Sequence, residues 1–440
     1  MEGTDFSRKI ILFTTFSEIS EAYSLNRVVQ DQIKMFTRNR YKVTVIVQES
    51  FQPDQMYAHP DVTIEKIPLV PCHNEIKKDP TFDEDVANIE RRLDEIITDG
   101  SVVLTHDIIY QPAALKHNFA SRRVAAKKNA KWLHWIHSAT SPVTLGALQN
   151  FGSEYTDLVR KPFPNSYYVF FNHYSIPRIA ENFGVSDELV KVVHHPTDIC
   201  GFLGISKEVQ EVVDKKKILS ADAICTYPIR LDRGKQVQYV IKTMAKLKDF
   251  DLSVRVIIID FHSTGGDKVT YREELKQIAI DYGLNSNEIT FTSEENENWK
   301  VEVPQSVVRD FQLLSNVFIM PSASESYSLI TQEAGLTKQV VVLNFDFPPF
   351  RNIFGENAIF RKYSSNIDIM NAMDGNTNTA YGPQNASDDE RKKYEKDYHY
   401  DTAGAIAARL QHPEMAMATR LRKERNLDFI FKHELEPLLY

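Results

Sequence analysis

Two charged clusters in the second half of the chain lie where apolar runs give way to helical patterns. The first is Arg230-Leu-Asp-Arg-Gly-Lys235, between the apolar run Ile224–Ile229 and a helical pattern over Lys235–Lys248. In an open α/β sheet, ligands collect outside the carboxyl ends of strands, and helix amides there favour anions. An arginine fork and a lysine point charge at such a turn can converge on one diphosphate. The plain alternative is a solvated basic turn. The second is Phe318-Ile-Met-Pro-Ser-Ala-Ser-Glu325-Ser-Tyr-Ser-Leu-Ile-Thr-Gln-Glu333-Ala-Gly335, again a strand, a loop and a helix. Glu325 falls in the loop and Glu333 inside the helix, so the two can flank a ligand. Carboxylates accept hydrogen bonds from vicinal hydroxyls, as in a sugar or ribose. The amides of Ser326, Tyr327, Ser328 and Leu329 open the helix and suit a phosphate. The competing reading is a capping acid and an exposed helix residue.

The first half offers histidines. His106-Asp107 follows the strand-like run 101–105, and His137-Ser138 follows Ala130–Ile136, so both stand at strand carboxyl ends. His134 competes with His137, and a lone histidine is more often structural. No metal is expected. Asp83-Glu-Asp85 and Asp249-Phe-Asp251 have the letters of a cation-binding pair, but neither follows a strand, so both are assigned to solvated surface. The chain has no GxGxxG, GxxxxGK[ST], HExxH or GxSxG, which lowers the dinucleotide oxidoreductase, P-loop, zincin and α/β-hydrolase classes.

The elements needed to position these residues alternate. Lys9–Thr14, Tyr41–Val47, Val62–Ile67, Ser101–Thr105, Ala130–His137, Tyr167–Asn172 and Val190–His195 read as strands, with helices at 21–40, 82–98, 112–129 and 175–184. A second alternation runs from Ile224 to Asn344. The expected fold class is α/β: two Rossmann-like doubly wound domains facing across a cleft. The first domain is set at 1–200 and the second at 201–405. Within the second, 371–398 is poor in large aliphatics and reads as a surface insertion. Residues 406–440 are expected as a C-terminal helix that can pack back on the first domain. A formal charge of −8 excludes a wholly basic coat for nucleic acid or membrane. No run reaches the roughly 20 apolar residues of a membrane span. The start of the chain has no secretory pattern, and Cys72, Cys200 and Cys225 form no CxxC pair, so a cytoplasmic location is expected.

Arg230…Lys235 followed by Pro-Ser-x-x-Glu-x7-Glu-Ala-Gly resembles the C-terminal half of retaining glycosyltransferases of the GT-B fold, family four. The resemblance implies a UDP- or GDP-sugar donor on the second domain and an acceptor on the first, with no cofactor required. By position it puts the diphosphate on Arg230 and Lys235, the donor sugar beside Glu325 and the ribose on Glu333. It also makes His137 the best match to a histidine lining the sugar site, with His106 nearby. Two departures stand out. The family's Gly-Gly loop is replaced by Thr15–Ser24, which has no glycine, and its Glu-Gly-Phe-Gly by Glu325-Ser-Tyr-Ser328.

Residues 101–180 hold nine basic residues, six of them at Lys116, Arg122, Arg123, Lys127, Lys128 and Lys131, against three acids, with aromatics interleaved. Such a surface over 116–131 suits an anionic acceptor, nucleic acid with modified DNA bases included. The alternative is a solvated helix beside core aromatics. A sugar-nucleotide epimerase or phosphorylase, and a non-catalytic nucleotide- or nucleic-acid-binding protein, are the rival functions.

Overall fold

A computed structural model describes residues 9–15, 23–51, 55–68, 79–138, 145–261, 268–322, 325, 327–363 and 387–440. The chain divides into two compact units, one of Met1–Asp198 with Arg425–Tyr440, the other of Ile199–Glu424.

The strands of the first unit are β1 (Ile10–Phe13), β2 (Val43–Gln48), β3 (Val62–Ile67), β4 (Val102–His106), β5 (Lys131–Trp135), β6 (Ser166–Phe170) and β7 (Val190–Val192). They are short β-branched and aromatic runs, as strands covered on both faces should be. All pairs are parallel, in the order β3-β2-β1-β4-β5-β6-β7. Parallel pairing demands helical crossovers, supplied by α1 (Ser24–Arg38), α2 (Phe82–Ile96), α3 (Leu115–Ala125), α4 (Leu145–Arg160) and α5 (Ile176–Phe183). Alternate residues of a strand leave on opposite faces. Ile11 and Phe13 therefore enter the core beneath α2 and α3, while Ile10 and Leu12 enter the one beneath α1. Strand order reverses between β1 and β4, which leaves a crevice at their carboxyl ends.

The second unit starts with α6 (Ile199–Leu203) and α7 (Lys207–Lys216). Its strands are β8 (Ala223–Arg230), β9 (Val254–Phe261), β10 (Ile289–Phe291), β11 (Val317–Met320), β12 (Val340–Asn344) and β13 (Ile359–Arg361). They form a parallel sheet in the order β10-β9-β8-β11-β12-β13. The helices are α8 (Val237–Lys246), α9 (Lys268–Asp281), α10 (Gln305–Leu314), α11 (Leu329–Leu336), α12 (Pro348–Phe354), α13 (Asp388–Leu410) and α14 (Pro413–Glu424). Cys225, Tyr227 and Ile229 face one core, and Ile224 the other. The reversal here lies between β8 and β11. Both units are thus doubly wound, Rossmann-like α/β sheets.

Three expectations need correction. The surface insertion 371–398 covers two things: 371–386 lies outside the described residues, and 388–398 is the first part of α13. That helix opens with a capping box, in which Ser387 and Glu390 satisfy each other's backbone amides, and His399, Ala403 and Ile406 are buried. Polar composition hid a helix whose first turns face solvent. The boundary at 405 would cut α13, whose end is Leu410. Residues 406–440 are not one helix, since α13 ends, α14 begins at Pro413, and a new helix α15 (Leu427–Ile430) is capped by Asn426, which accepts from the Phe429 amide. Residues 425–440 belong to the first unit, where Leu427, Ile430, Phe431, Leu435 and Leu439 fill the core under α1. Among the described residues no helix is long and apolar enough to cross a membrane.

Candidate active site

In the second unit the two sequence clusters meet at the strand reversal. Arg230 is the last residue of β8, half exposed, with Nε 3.5 Å from the Asp232 carboxylate. The turn that follows is closed by amide bonds from Asp232 to the Arg230 carbonyl, from Lys235 to Asp232, and from Gln236 to Arg233. Arg233 is drawn away: its guanidinium pairs with Glu274 at 2.7 Å and lies over the Tyr271 ring. Lys235 turns the other way, across to the loop after β11, where its ammonium pairs with the Glu325 carboxylate and lies 3.4 Å from Ser322 Oγ. Both side chains are four-fifths or more buried, at 20% and 15% exposure. The buried Tyr227 hydroxyl donates to the Lys235 carbonyl. A cation and an acid expected on different parts of a ligand are therefore each other's partners here.

Beyond Glu325, Tyr327 and Leu329 are exposed and Ser328 is buried. Ser326 lies outside the described residues. Among the described residues no side chain caps the start of α11, so its first amides can take an anion. Glu333 lines a cavity of about 420 Å³ between α10 and α11, with Gln305, Ser306, Arg309, Gln312, Leu336 and Thr337. Arg230, Lys235 and Glu325 are not among its walls.

In the first unit, His106 closes β4 and is wholly buried. Its parity with Val102 and Leu104 turns it to the α1 face, where Nε2 lies 2.9 Å from Gln32 Oε1. Its Nδ1 lies 3.1 Å from His137 Nε2. The His106 and His137 rings, joined edge to edge by that contact, are nearly parallel with centroids 5.4 Å apart, and the His195 ring is nearly parallel to His137 at 5.7 Å. The His137 amide donates to Asp107 Oδ1 and the Tyr110 hydroxyl, and that hydroxyl in turn donates to Asp107. Burial holds His106 well below the usual imidazole range, with His137 and His195 adding to the effect. Burial likewise brings His137 down to about 4, and His195 to about 4 with help from His137 and His194. Three neutral imidazoles result. With Gln32 accepting from His106 Nε2–H, His106 Nδ1 accepts from His137 Nε2–H, and His137 Nδ1 is left as an acceptor.

His134 has the opposite parity. It sits among Trp132, Phe163 and Tyr168, bonded through Nδ1 to the Thr105 hydroxyl at 2.8 Å, and is a core residue. Sequence reasoning missed Gln32, Asp107, Tyr110 and His195. His195 carried the same signal as the others, a histidine just past a strand, whereas Gln32 inside α1 carried none. Of Thr15–Ser24, residues 16–22 lie outside the described residues.

The basic surface over 116–131 needs correction. Lys116 pairs with Asp79 and Asp85, Arg123 and Lys127 share Glu90, and Lys128 lies 3.4 Å from Asp94. Arg122 is held by Asn118 and covers the Phe163 ring. The neutralising acids lie on α2 and just before it, upstream of the window in which the excess was counted. Trp132, Tyr155, Phe163 and Tyr168 are core residues. Asp85 is thereby an ion-pair partner, and Asp249 likewise pairs with Lys246. Among the described residues no three His, Cys, Asp or Glu cluster to hold a metal.

Residues 208–369, within the second unit, match the family model described as Glycosyl transferases group 1. No curated protein matches the chain. Similar solved structures include HepE (Alr3699) of Anabaena in complex with UDP, at 14% identity over 98% of this chain and 99% of that one, TM-score 0.32. A glycosyltransferase of Rickettsia africae is 14% identical over 97% of this chain and 100% of that one, TM-score 0.31. An alpha,alpha-trehalose-phosphate synthase (UDP-forming) of Burkholderia vietnamiensis is 13% identical over 98% of each, TM-score 0.34. Likenesses of this size add nothing to the topology read from the sheets themselves.

Proposed function

We propose that the protein is a retaining glycosyltransferase, taking a sugar from a UDP- or GDP-sugar and passing it to a hydroxyl acceptor. The observation that carries this reading is the Lys235–Glu325 pair, at the strand reversal of the unit whose sequence matches the glycosyl transferases group 1 model. A diphosphate arriving at this crevice offers Lys235 a stronger partner than one carboxylate, and Arg230 a bidentate one. Released from the ammonium, Glu325 accepts from the hydroxyls of the transferred sugar. The start of α11 receives phosphate oxygens, and Glu333, four residues further along that helix, takes the ribose diol. In the first unit, neutral His137, ordered by His106, offers Nδ1 to a hydroxyl without adding charge.

Transfer then breaks the bond from the anomeric carbon to the phosphate oxygen, with the electron pair leaving on the diphosphate. The acceptor oxygen bonds to that carbon from the same face, and its proton passes to the departing phosphate oxygen. Arg230 and Lys235 stabilise the charge that builds on the leaving group. No side chain forms a covalent intermediate.

The test is acceptor-dependent release of nucleoside diphosphate from UDP- and GDP-sugars. Lys235→Ala and Glu325→Gln are expected to lower turnover by about 10²-fold or more, the scale of losing one charge-stabilising contact. Wild-type turnover in both variants overturns the assignment. Conversion of the donor sugar without release would identify an epimerase instead.

A further inference from the structure

The residue that follows Lys235 has the backbone of a glycine and the burial of a core side chain. Gln236 lies in the left-handed region at φ +51°, ψ +44°, and none of it is exposed. Non-glycine residues rarely adopt that conformation, and where they do the surroundings must hold them. Here part of the hold is visible. The Gln236 side-chain amide donates to the carbonyl of Pro321 at 2.8 Å, inside the protein and across to the loop that follows β11. On the far side of that loop, Asn344 at the end of β12 donates to the next carbonyl, that of Ser322, at 3.0 Å.

The sheet itself does little fastening at this point. The residue pairing between β8 and β11 is Val317 with Cys225, near the start of β11, and Pro228 further along β8 has no amide to donate. The carboxyl ends of the two strands can therefore part, and Lys235 and Glu325 stand on those ends.

We propose that Gln236 is a positioning residue, whose amide ties the turn after β8 to the loop after β11 and so fixes the gap between Lys235 and Glu325. The inference rests on the donor reading of that pair. The left-handed backbone is what turns the side chain inward: a right-handed residue here would continue α8 by one position and could not present its amide to Pro321.

Two substitutions separate the tether from the fold. Gln236→Asn keeps an amide and a residue type that tolerates the left-handed region, but is one methylene too short to reach Pro321. Gln236→Met keeps the volume and removes the donor. Hydrogen exchange in the ligand-free protein is expected to speed up at least tenfold at the Ser322 and Glu325 amides, with β9 and α13 unchanged. The Kd for UDP, or for GDP if that is the nucleotide bound, is expected to rise at least tenfold by calorimetry. Wild-type exchange at Ser322 and Glu325 in a folded variant overturns the tether. If the wild-type protein binds neither nucleotide, the donor reading fails, and the exchange measurement alone still decides the tether. If Gln236→Asn does not fold, the same two readouts on Gln236→Met decide it.

Discussion

His134 and His137 are three residues apart and fall on opposite faces of one sheet, and their fates differ accordingly. Truncating His134 to Ala opens a hole beside Trp132 and Phe163 and strands the Thr105 hydroxyl. We expect a loss of about 2–4 kcal/mol in chemical denaturation, the usual range for a large buried side chain and its bond. His137→Ala is expected to lower transfer about tenfold or more with a much smaller loss of stability, by kinetics alongside the same denaturation curves. The titration of the cluster has a definite sign. His137 and His195 hold their protons in the unfolded chain up to the usual 6.5, but in the fold only below about 4. Between these values the unfolded state binds more protons, so stability is complete above 6.5 and declines as the pH falls toward 4. Melting temperatures from pH 7 to 4 should trace that decline, and it should be shallower in His195→Phe.

Among elements, the alternation of apolar and helical patterns made nearly all strands of both sheets legible, because a buried parallel strand is a short run with few competing readings. Lys235 and Glu325 were legible as charged groups just past two strand ends, but their mutual pairing was not, since it depends on two loops far apart in sequence meeting at the strand reversal. Parity along β5 would have separated His134 from His137, as side chains two apart share a face. Strand β13 was missed because its apolar run Ala358-Ile359-Phe360 is closed at once by Arg361 and Lys362, and the start of α13 because its exposed turns look like a linker. The basic stretch over 116–131 misled because charge was summed along the chain, whereas ion pairs form between neighbouring helices. We therefore expect no retention on double-stranded DNA at 0.15 M salt, and no change in retention when Arg123, Lys127 and Lys128 are all replaced by Gln. Salt-dependent retention lost in that variant would restore the anionic-acceptor surface.

At the level of the whole molecule, each unit has cores of its own, and the first borrows its last pieces from the far end of the chain. Tyr440 closes the arrangement, its hydroxyl 2.9 Å from that of Tyr41, and Glu434 accepts from the amide and ring of His194. Removing residues 425–440 uncovers Val29, Ile33, Phe36 and Tyr41, the residues of the α1 layer grouped with the lost ones. Calorimetry on such a truncation should show the first unit's melting lowered by ten degrees or more, on the order expected when several buried side chains go at once, while the transition of residues 199–424 stays in place. Equal loss in both would mean the two cores unfold as one.

That threading also sets an order in time. A ribosome delivers residues 9–198 before 199–424, yet their hydrophobic layer lacks its final members until residues 427–439 have been made, whereas the middle of the chain can close before then. The half made earliest is the half finished last, and during the interval its unfilled layer is what a chaperone would meet.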